Sequence, residues 1–251
     1  MTLIEKLAFA GLAMAAGGAF AAQHAGDAHW AYTGHTGPAE WGAMNPDFAT
    51  CKLGKHQSPI DIRSAKTADL PAIAFNYHPV PLDVIDNGHT IQVNYAPGSW
   101  IDVGGTRYDL VQFHFHKPSE EKIDGKAHAM VAHLVHKDAA GKLAVVAVLL
   151  DGGGANPTIE TIWKNLPKEK EKDVVVPGAS IDATALLPKD RGYYTFAGSL
   201  TTPPCSEDVR WLVLKEPLRI ENAEIAQFGK IYPMNARPTQ PANGRPIEAS
   251  R

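Results

Sequence analysis

The residues best placed to do chemistry lie in Gln112-Phe113-His114-Phe115-His116. Side chains on a β-strand alternate between faces. A strand here would point His114 and His116 the same way, roughly 6–7 Å apart along the chain, and Phe113 and Phe115 the other way into a core. A bare His-x-His is more often a pair of half-buried histidines than a metal site. A third imidazole at strand spacing changes that balance. In Ala132-His133-Leu134-Val135-His136, His133 shares a face with Val135, while His136 falls on the other. The polar residues between His116 and His133 are numerous enough for a connection that returns the second strand beside the first. Three neutral imidazoles from two adjacent strands make an open tetrahedral site with water in the fourth position, the pattern of catalytic zinc. Imidazole also suits copper, iron and nickel, so the spacing by itself leaves the metal open.

The elements that must position these residues read as strands more often than helices. Residues 90–95 alternate after the turn Asp86-Asn87-Gly88, and 110–116 alternate again. Residues 130–136 are apolar with β-branched members, 143–150 form a continuous Val/Leu run of the kind buried on both faces, and 209–214 add another strand. Helical signals are local: Asn156-Pro157 opens a helix over 158–165, and a second covers 221–228. The 22 glycines and 19 prolines are spread along the chain, which argues for many short elements joined by turns. The fold class is therefore mainly β, an antiparallel or mixed sheet with short peripheral helices.

Residues 1–22 read as a signal peptide. Lys6 supplies a modest positive start, 7–20 form an apolar Ala/Gly-rich run, and Ala19-Phe20-Ala21 places small residues at cleavage-type positions. The run is short and rich in small residues for a transmembrane helix. Glu5 weakens the positive start, which keeps an uncleaved anchor as the alternative. The expectation is export to the periplasm or beyond, with a mature domain over 23–251 that has no membrane span. About 230 residues suit one all-β domain and are ample for a core. Lys and Arg number 24 against 27 Asp and Glu, with no basic block, so neither nucleic acid nor an anionic membrane surface is indicated as a partner. Cys51 and Cys205 are too few and too far apart for a structural zinc site; in an exported chain they are expected as a disulfide, against two free buried thiols.

Several segments together resemble the signature stretches of the alpha-class carbonic anhydrases. They are His29-Trp-Ala-Tyr32, Gln57-Ser-Pro-Ile-Asp-Ile62, Asn87-Gly-His89, Gln112-Phe-His-Phe-His116, Ser119-Glu120, Ala132-His-Leu-Val-His136, Ser199-Leu-Thr-Thr-Pro-Pro204, Trp211-Leu-Val-Leu-Lys-Glu-Pro217 and Asn235-Ala-Arg-Pro238. They run in order over nearly the whole mature chain. The resemblance implies a single domain on a large, twisted, mostly antiparallel central sheet. It implies reversible hydration of CO2 to bicarbonate and a proton by attack of zinc-bound hydroxide, in a monomer or homodimer. Zn²⁺ would be held by His114, His116 and His133, bringing its water to a pKa of about 7, a value taken from carbonic anhydrase itself.

The family's other roles map as follows. Thr201 matches the gatekeeper that accepts from the hydroxide and donates to Glu120. Val135, Val145, Leu200 and Trp211, with Thr202 beside them, match the substrate wall that holds apolar CO2. Gln112 and Asn235 match positions that orient zinc-bound histidines, a task whose loss typically costs about 10–100-fold in affinity or activity. Tyr32, Asn87 and Gln92 match cleft residues that order water, and His89 matches the proton shuttle, as an unperturbed pKa of about 6.5 suits. His24, His29, His35, His56, His78, His128 and His136 read as tail, surface or structural.

One departure stands out. Alpha-class enzymes commonly have a glutamate two residues before the third zinc histidine, where this chain has Val131, and many have a histidine after the gatekeeper glutamate, where it has Glu121. Glu121 is therefore expected to supply His133 with the missing acceptor, against a solvated Glu121 and a carbonyl or water in its place. Two rival readings come from other classes. The string His114-x-His116-x-x-x-Glu120 resembles half of a cupin metal motif, but the glycine after the glutamate and the second motif are both wrong. A carbonic anhydrase-like binding protein without catalysis should have lost a zinc histidine or the threonine, and none is lost.

Overall fold

The computed structural model describes residues 29–251, so the expected signal peptide lies outside the described residues. The alternation around Gln112 produces an eleven-residue strand, Thr106–His116, longer than the expected 110–116. It runs antiparallel to Met130–Lys137 with His114 opposite His133, Phe115 opposite Ala132 and Phe113 opposite Leu134. The continuous apolar run becomes Leu143–Gly152, buried on both faces as its composition requires, and it pairs with Met130–Lys137 on one side and, in parallel, with Val209–Leu214 on the other.

These strands sit in the middle of a 13-stranded sheet whose main path runs Val174–Ile181, Val80–Asp86, Ile91–Asn94, Thr106–His116, Met130–Lys137, Leu143–Gly152, Val209–Leu214, Tyr193–Gly198, Glu248–Ala249 and Lys66–Thr67. Its pairings are mostly antiparallel, the parallel ones lying beside Leu143–Gly152 and at the Lys66–Thr67 end. The sheet class matches the sequence expectation. The outer strand Val174–Ile181 escaped it because Pro177 and Gly178 interrupt its alternation, and its pairing with Val80–Asp86 shifts register between Val175 and Ser180.

Residues paired across neighbouring strands share a face. One face carries the large core, in which Phe113, Phe115, Leu134, Val146 and Leu212 are fully buried. The helices Pro157–Lys164 and Asn222–Ile231 cover it. Asn156 caps the first through its side-chain oxygen, with Pro157 at the first-turn position, and the Trp163 indole donates to the Glu224 carbonyl at 2.8 Å to bind the two helices together. Phe115 meets Trp163 edge to face at 4.9 Å. The opposite face holds a smaller apolar cluster that includes Ile60, Val131, Val145, Ala147 and Trp211, and leaves room beside it for the histidines.

Candidate functional site

Because His114 and His133 are directly opposite and His116 follows two residues along the same face, the three rings form a triangle over the central strands. One ring nitrogen from each lies within 4.8 Å of the other two. His116 and His133 are each 1 % exposed. The outer nitrogens are all engaged. His114 Nδ1 donates to Gln112 Oε1 at 2.9 Å, His116 Nδ1 to the Asn235 carbonyl at 2.7 Å, and His133 Nε2 to Glu121 at 3.0 and 3.2 Å to its two oxygens. Amide, carbonyl and carboxylate oxygens can only accept here, so each ring carries its proton outward and turns a lone pair inward. His116 Nε2 is buried with no hydrogen-bond partner among the described residues, the condition expected of an atom meant for a metal.

Burial, and then His133, pulls the His114 pKa down to about 3. Burial and the two neighbouring histidines hold His116 well below the ordinary range against the opposing Asn235 carbonyl. Both are therefore neutral at pH 7, the form that binds metal. For His133 burial also works downward, but the Glu121 carboxylate more than offsets it and the pKa is raised. A three-imidazole set with an open side fits zinc, whose binding takes His133 in its neutral form.

Glu120 approaches the triangle from one side, its Oε2 lying 3.6 Å from His116 Nε2 and 3.9 Å from His133 Nδ1. Burial pushes this carboxyl up to about 7, while His133, the Thr201 hydroxyl and the Arg237 backbone N–H draw it down and Glu121 pushes it further up. Thr201 thus stands beside the carboxylate as expected, although Glu120 Oε2 has no well-formed hydrogen bond among the described residues. The loop carrying Thr201 is braced by the Cys51–Cys205 disulfide, with S–S 2.08 Å and Cα–Cα 4.9 Å. Cys205 N donates to the Thr202 carbonyl at 2.8 Å, and Trp211 Nε1 donates to the Ser199 carbonyl at 3.0 Å. Register brings together three of the residues expected as the apolar wall: Gln112, Val135, Val145 and Trp211 pair in one row across four strands, next to the row of His114 and His133. The Trp211 ring lies 4.9 Å from that of His133, edge to face, and Leu200 packs against the same cluster.

Asn235 does its work through two groups. Its carbonyl orients His116, while its side chain accepts from Lys117 N and donates to the His89 and Phe115 carbonyls, fixing the loop to the end of the histidine strand. Asn87 Oδ1 accepts from the backbone N–H groups of His89 and Thr90, its Nδ2 donates to Gln92 Oε1, and Gln92 pairs across the strands with His114. Tyr32 faces His116 edge-on at 6.5 Å.

His89 is half-buried rather than freely solvated. Its ring stacks on Trp30 at 3.7 Å with 7° between planes, and the exposed His29 ring lies 5.4 Å away. Burial first, and then His29, lowers its pKa.

Two residues that sequence reasoning left without a role are prominent here. Trp30 forms the platform for His89. Arg237 is 2 % exposed; its backbone N–H donates to Glu120 Oε1 at 2.7 Å, and its guanidinium reaches Gln57 Oε1 and the Ser58 and Cys51 carbonyls. Both lie inside signature segments, but a loop arginine ordinarily reads as solvated, and nothing local marks this one as buried.

Comparison with known proteins gives the family and the fold. The family model for eukaryotic-type carbonic anhydrases matches residues 36–251. A carbonic anhydrase of Neisseria gonorrhoeae is 46% identical over 229 residues, covering 90% of each chain. A hyperthermostable carbonic anhydrase from a hydrothermal vent chimney superposes with TM-score 0.86 at 46% identity, over 89% of this chain and 100% of that one. The alpha-carbonic anhydrase of Thermovibrio ammonificans, solved with the inhibitor sulfanilamide, gives 0.85 at 42% identity, over 90% and 100%.

Proposed function

Since the chain belongs to the alpha carbonic anhydrase family and is a carbonic anhydrase, we propose that it hydrates CO2 reversibly with a zinc ion held by His114, His116 and His133. The observation that carries the reading is the convergence of three inward lone pairs whose outer nitrogens are each held by an acceptor. When bound, zinc supplies Lewis acidity that lowers the pKa of coordinated water to about 7, the value known from carbonic anhydrase itself, so that a nucleophile exists at neutral pH.

The chain's own residues do the rest. Thr201 donates its proton toward Glu120 in its carboxylate form, which a bound cation nearby would favour, and so offers the nucleophile only a lone pair, which fixes the nucleophile's orientation. Arg237 N–H holds Glu120 in place for this task. Val135, Val145, Leu200 and Trp211 present CO2 with a surface that makes no hydrogen bond and excludes water from its far side, and Thr202 borders the product. Tyr32, Asn87 and Gln92 supply polar groups along which water can order. His89 takes up the proton released by the reaction and passes it to buffer. Its stacking on Trp30 restrains the ring, and its pKa, lowered by burial and then by His29, favours the neutral, proton-accepting form.

Work outside the cytoplasm, in the periplasm or beyond, is supported by the disulfide. Stopped-flow CO2 hydration tests the function: kcat/KM is expected to rise through one ionisation near pH 7, and sulfonamides to suppress it. Hydration no faster than buffer alone would overturn the reading.

A further inference from the structure

His133 is the ligand that this chain supports in its own way. Two residues before it, on the same strand face, stands Val131, fully buried in the cluster with Ile60 and Ile62 and paired with Leu149. A valine there can accept no hydrogen bond. The acceptor comes instead from the connection between the two histidine strands, where Glu121 is fully buried and receives His133 Nε2 at 3.0 and 3.2 Å.

That connection is firmly seated. Ser119 Oγ donates to the Glu121 carbonyl at 2.7 Å and accepts from His128 N at 2.9 Å, and Lys122 N donates to the Ile60 carbonyl at 3.3 Å. Lys122–Ile123 pairs in parallel with Asp61–Ile62. A carboxylate buried next to a second one, Glu120, is costly unless a donor or a cation compensates it. Among the described residues, His133 is the one side chain that hydrogen-bonds the Glu121 carboxylate. The three imidazoles thus have three grades of acceptor: a side-chain amide for His114, a backbone carbonyl for His116 and a full carboxylate for His133. An ionised acceptor makes a hydrogen bond roughly twice as strong as a neutral one, and it raises the basicity of the ligating nitrogen across the ring.

We propose that Glu121 is the positioning residue for the third metal ligand: by accepting the Nε2–H it locks His133 in the tautomer whose Nδ1 faces the site, and it thereby sets how long zinc is retained. Metal retention in this chain then depends on the segment between the strands as much as on the strands themselves. The inference rests on the three-histidine zinc reading above, and its test separates the two.

Zinc release from the loaded protein to excess pyridine-2,6-dicarboxylate is followed in the wild type, Glu121→Ala and Glu121→Gln. Release should be about 10–100-fold faster in Glu121→Ala. Glu121→Gln, which is nearly isosteric, should still release several-fold faster, because a neutral acceptor remains. In Glu121→Ala/Val131→Glu a carboxylate is returned from the strand, and release should slow part of the way back. In the NMR spectrum of the loaded wild type, the His133 Nε2–H proton should lie far downfield and should move upfield in Glu121→Gln, a change that general loosening of the fold does not produce. Unchanged release in Glu121→Ala would overturn the proposal. If that variant does not fold, unchanged release in Glu121→Gln would overturn it alone. A wild type that retains no zinc would instead overturn the metal reading, and this inference with it.

Discussion

His133 and His136 stand three residues apart on Met130–Lys137, both almost wholly buried, yet on opposite faces of the sheet. His136 enters the large core between Leu110 and Ala144; its Nε2 shares a 2.8 Å hydrogen bond with the Tyr77 hydroxyl, its ring stacks on that tyrosine, and its Nδ1 has no partner among the described residues. Burial brings its pKa to about 4, so it is a neutral, inert imidazole in the native state. His133 is just as dry, but its outer nitrogen meets a carboxylate and its inner nitrogen meets two more imidazoles. Burial alone therefore does not make a ligand. An acceptor behind the ring and converging lone pairs in front of it do, and only one face of these strands provides both.

The largest effect is expected from His116→Ala, which removes one lone pair from the triangle. Zinc should fall below about a tenth of an equivalent by mass spectrometry, and CO2 hydration should drop to near the buffer rate, since the acidified water is lost. Full activity in this variant would erase the distinction between the faces. Phe115→Ala changes the residue next door on the other face. It should cost about 3–5 kcal/mol in denaturant melts, as large-to-small core changes do, while zinc stays near one equivalent under native conditions. Loss of zinc with no loss of stability would reverse the assignment.

His136 sharpens the comparison through pH. Between its ordinary pKa near 6.5 and its native value of about 4, the unfolded chain takes up a proton that the folded chain refuses. Stability should therefore fall as pH drops through that window, by about 3 kcal/mol at pH 4, with no effect above it. His136→Gln should lose this part of the acid dependence in melts at pH 7 and pH 4.5, without altering zinc content. The smallest effect concerns His89, which lies outside the triangle. His89→Ala should lower kcat in dilute buffer by about 100-fold, the low end of what a positioned proton-transfer group contributes, leave kcat/KM nearly unchanged, and recover in concentrated imidazole. Equal falls in both parameters would make it a structural residue.

Much of this was legible in the chain because strand periodicity maps directly onto faces. His114 and His116 could be assigned to one face of their strand, and His133 and Val135 to one face of theirs, from parity alone; that the two faces coincide comes from the pairing of His114 with His133. Residues 209–214 were delimited without error, and Pro157 marked its helix to within a residue. Cross-strand register was not legible. That Val145 and Trp211 stand in the same row as Gln112 follows from pairings between segments far apart in sequence, which no local pattern encodes. Arg237 was hidden for a related reason: its four partners come from three distant segments, and burial of a charge becomes affordable only once they are assembled. The stacking of His89 on Trp30 was hidden in the same way, being a contact between separate turns.

The most direct test is a zinc titration of metal-free protein with CO2 hydration followed at each addition. Activity should rise linearly from the buffer rate and stop at one zinc per chain, with His116→Ala flat throughout. Hydration that is already complete in metal-free protein, or that ignores added zinc, would contradict the claim that three imidazoles on one sheet face hold the catalytic metal.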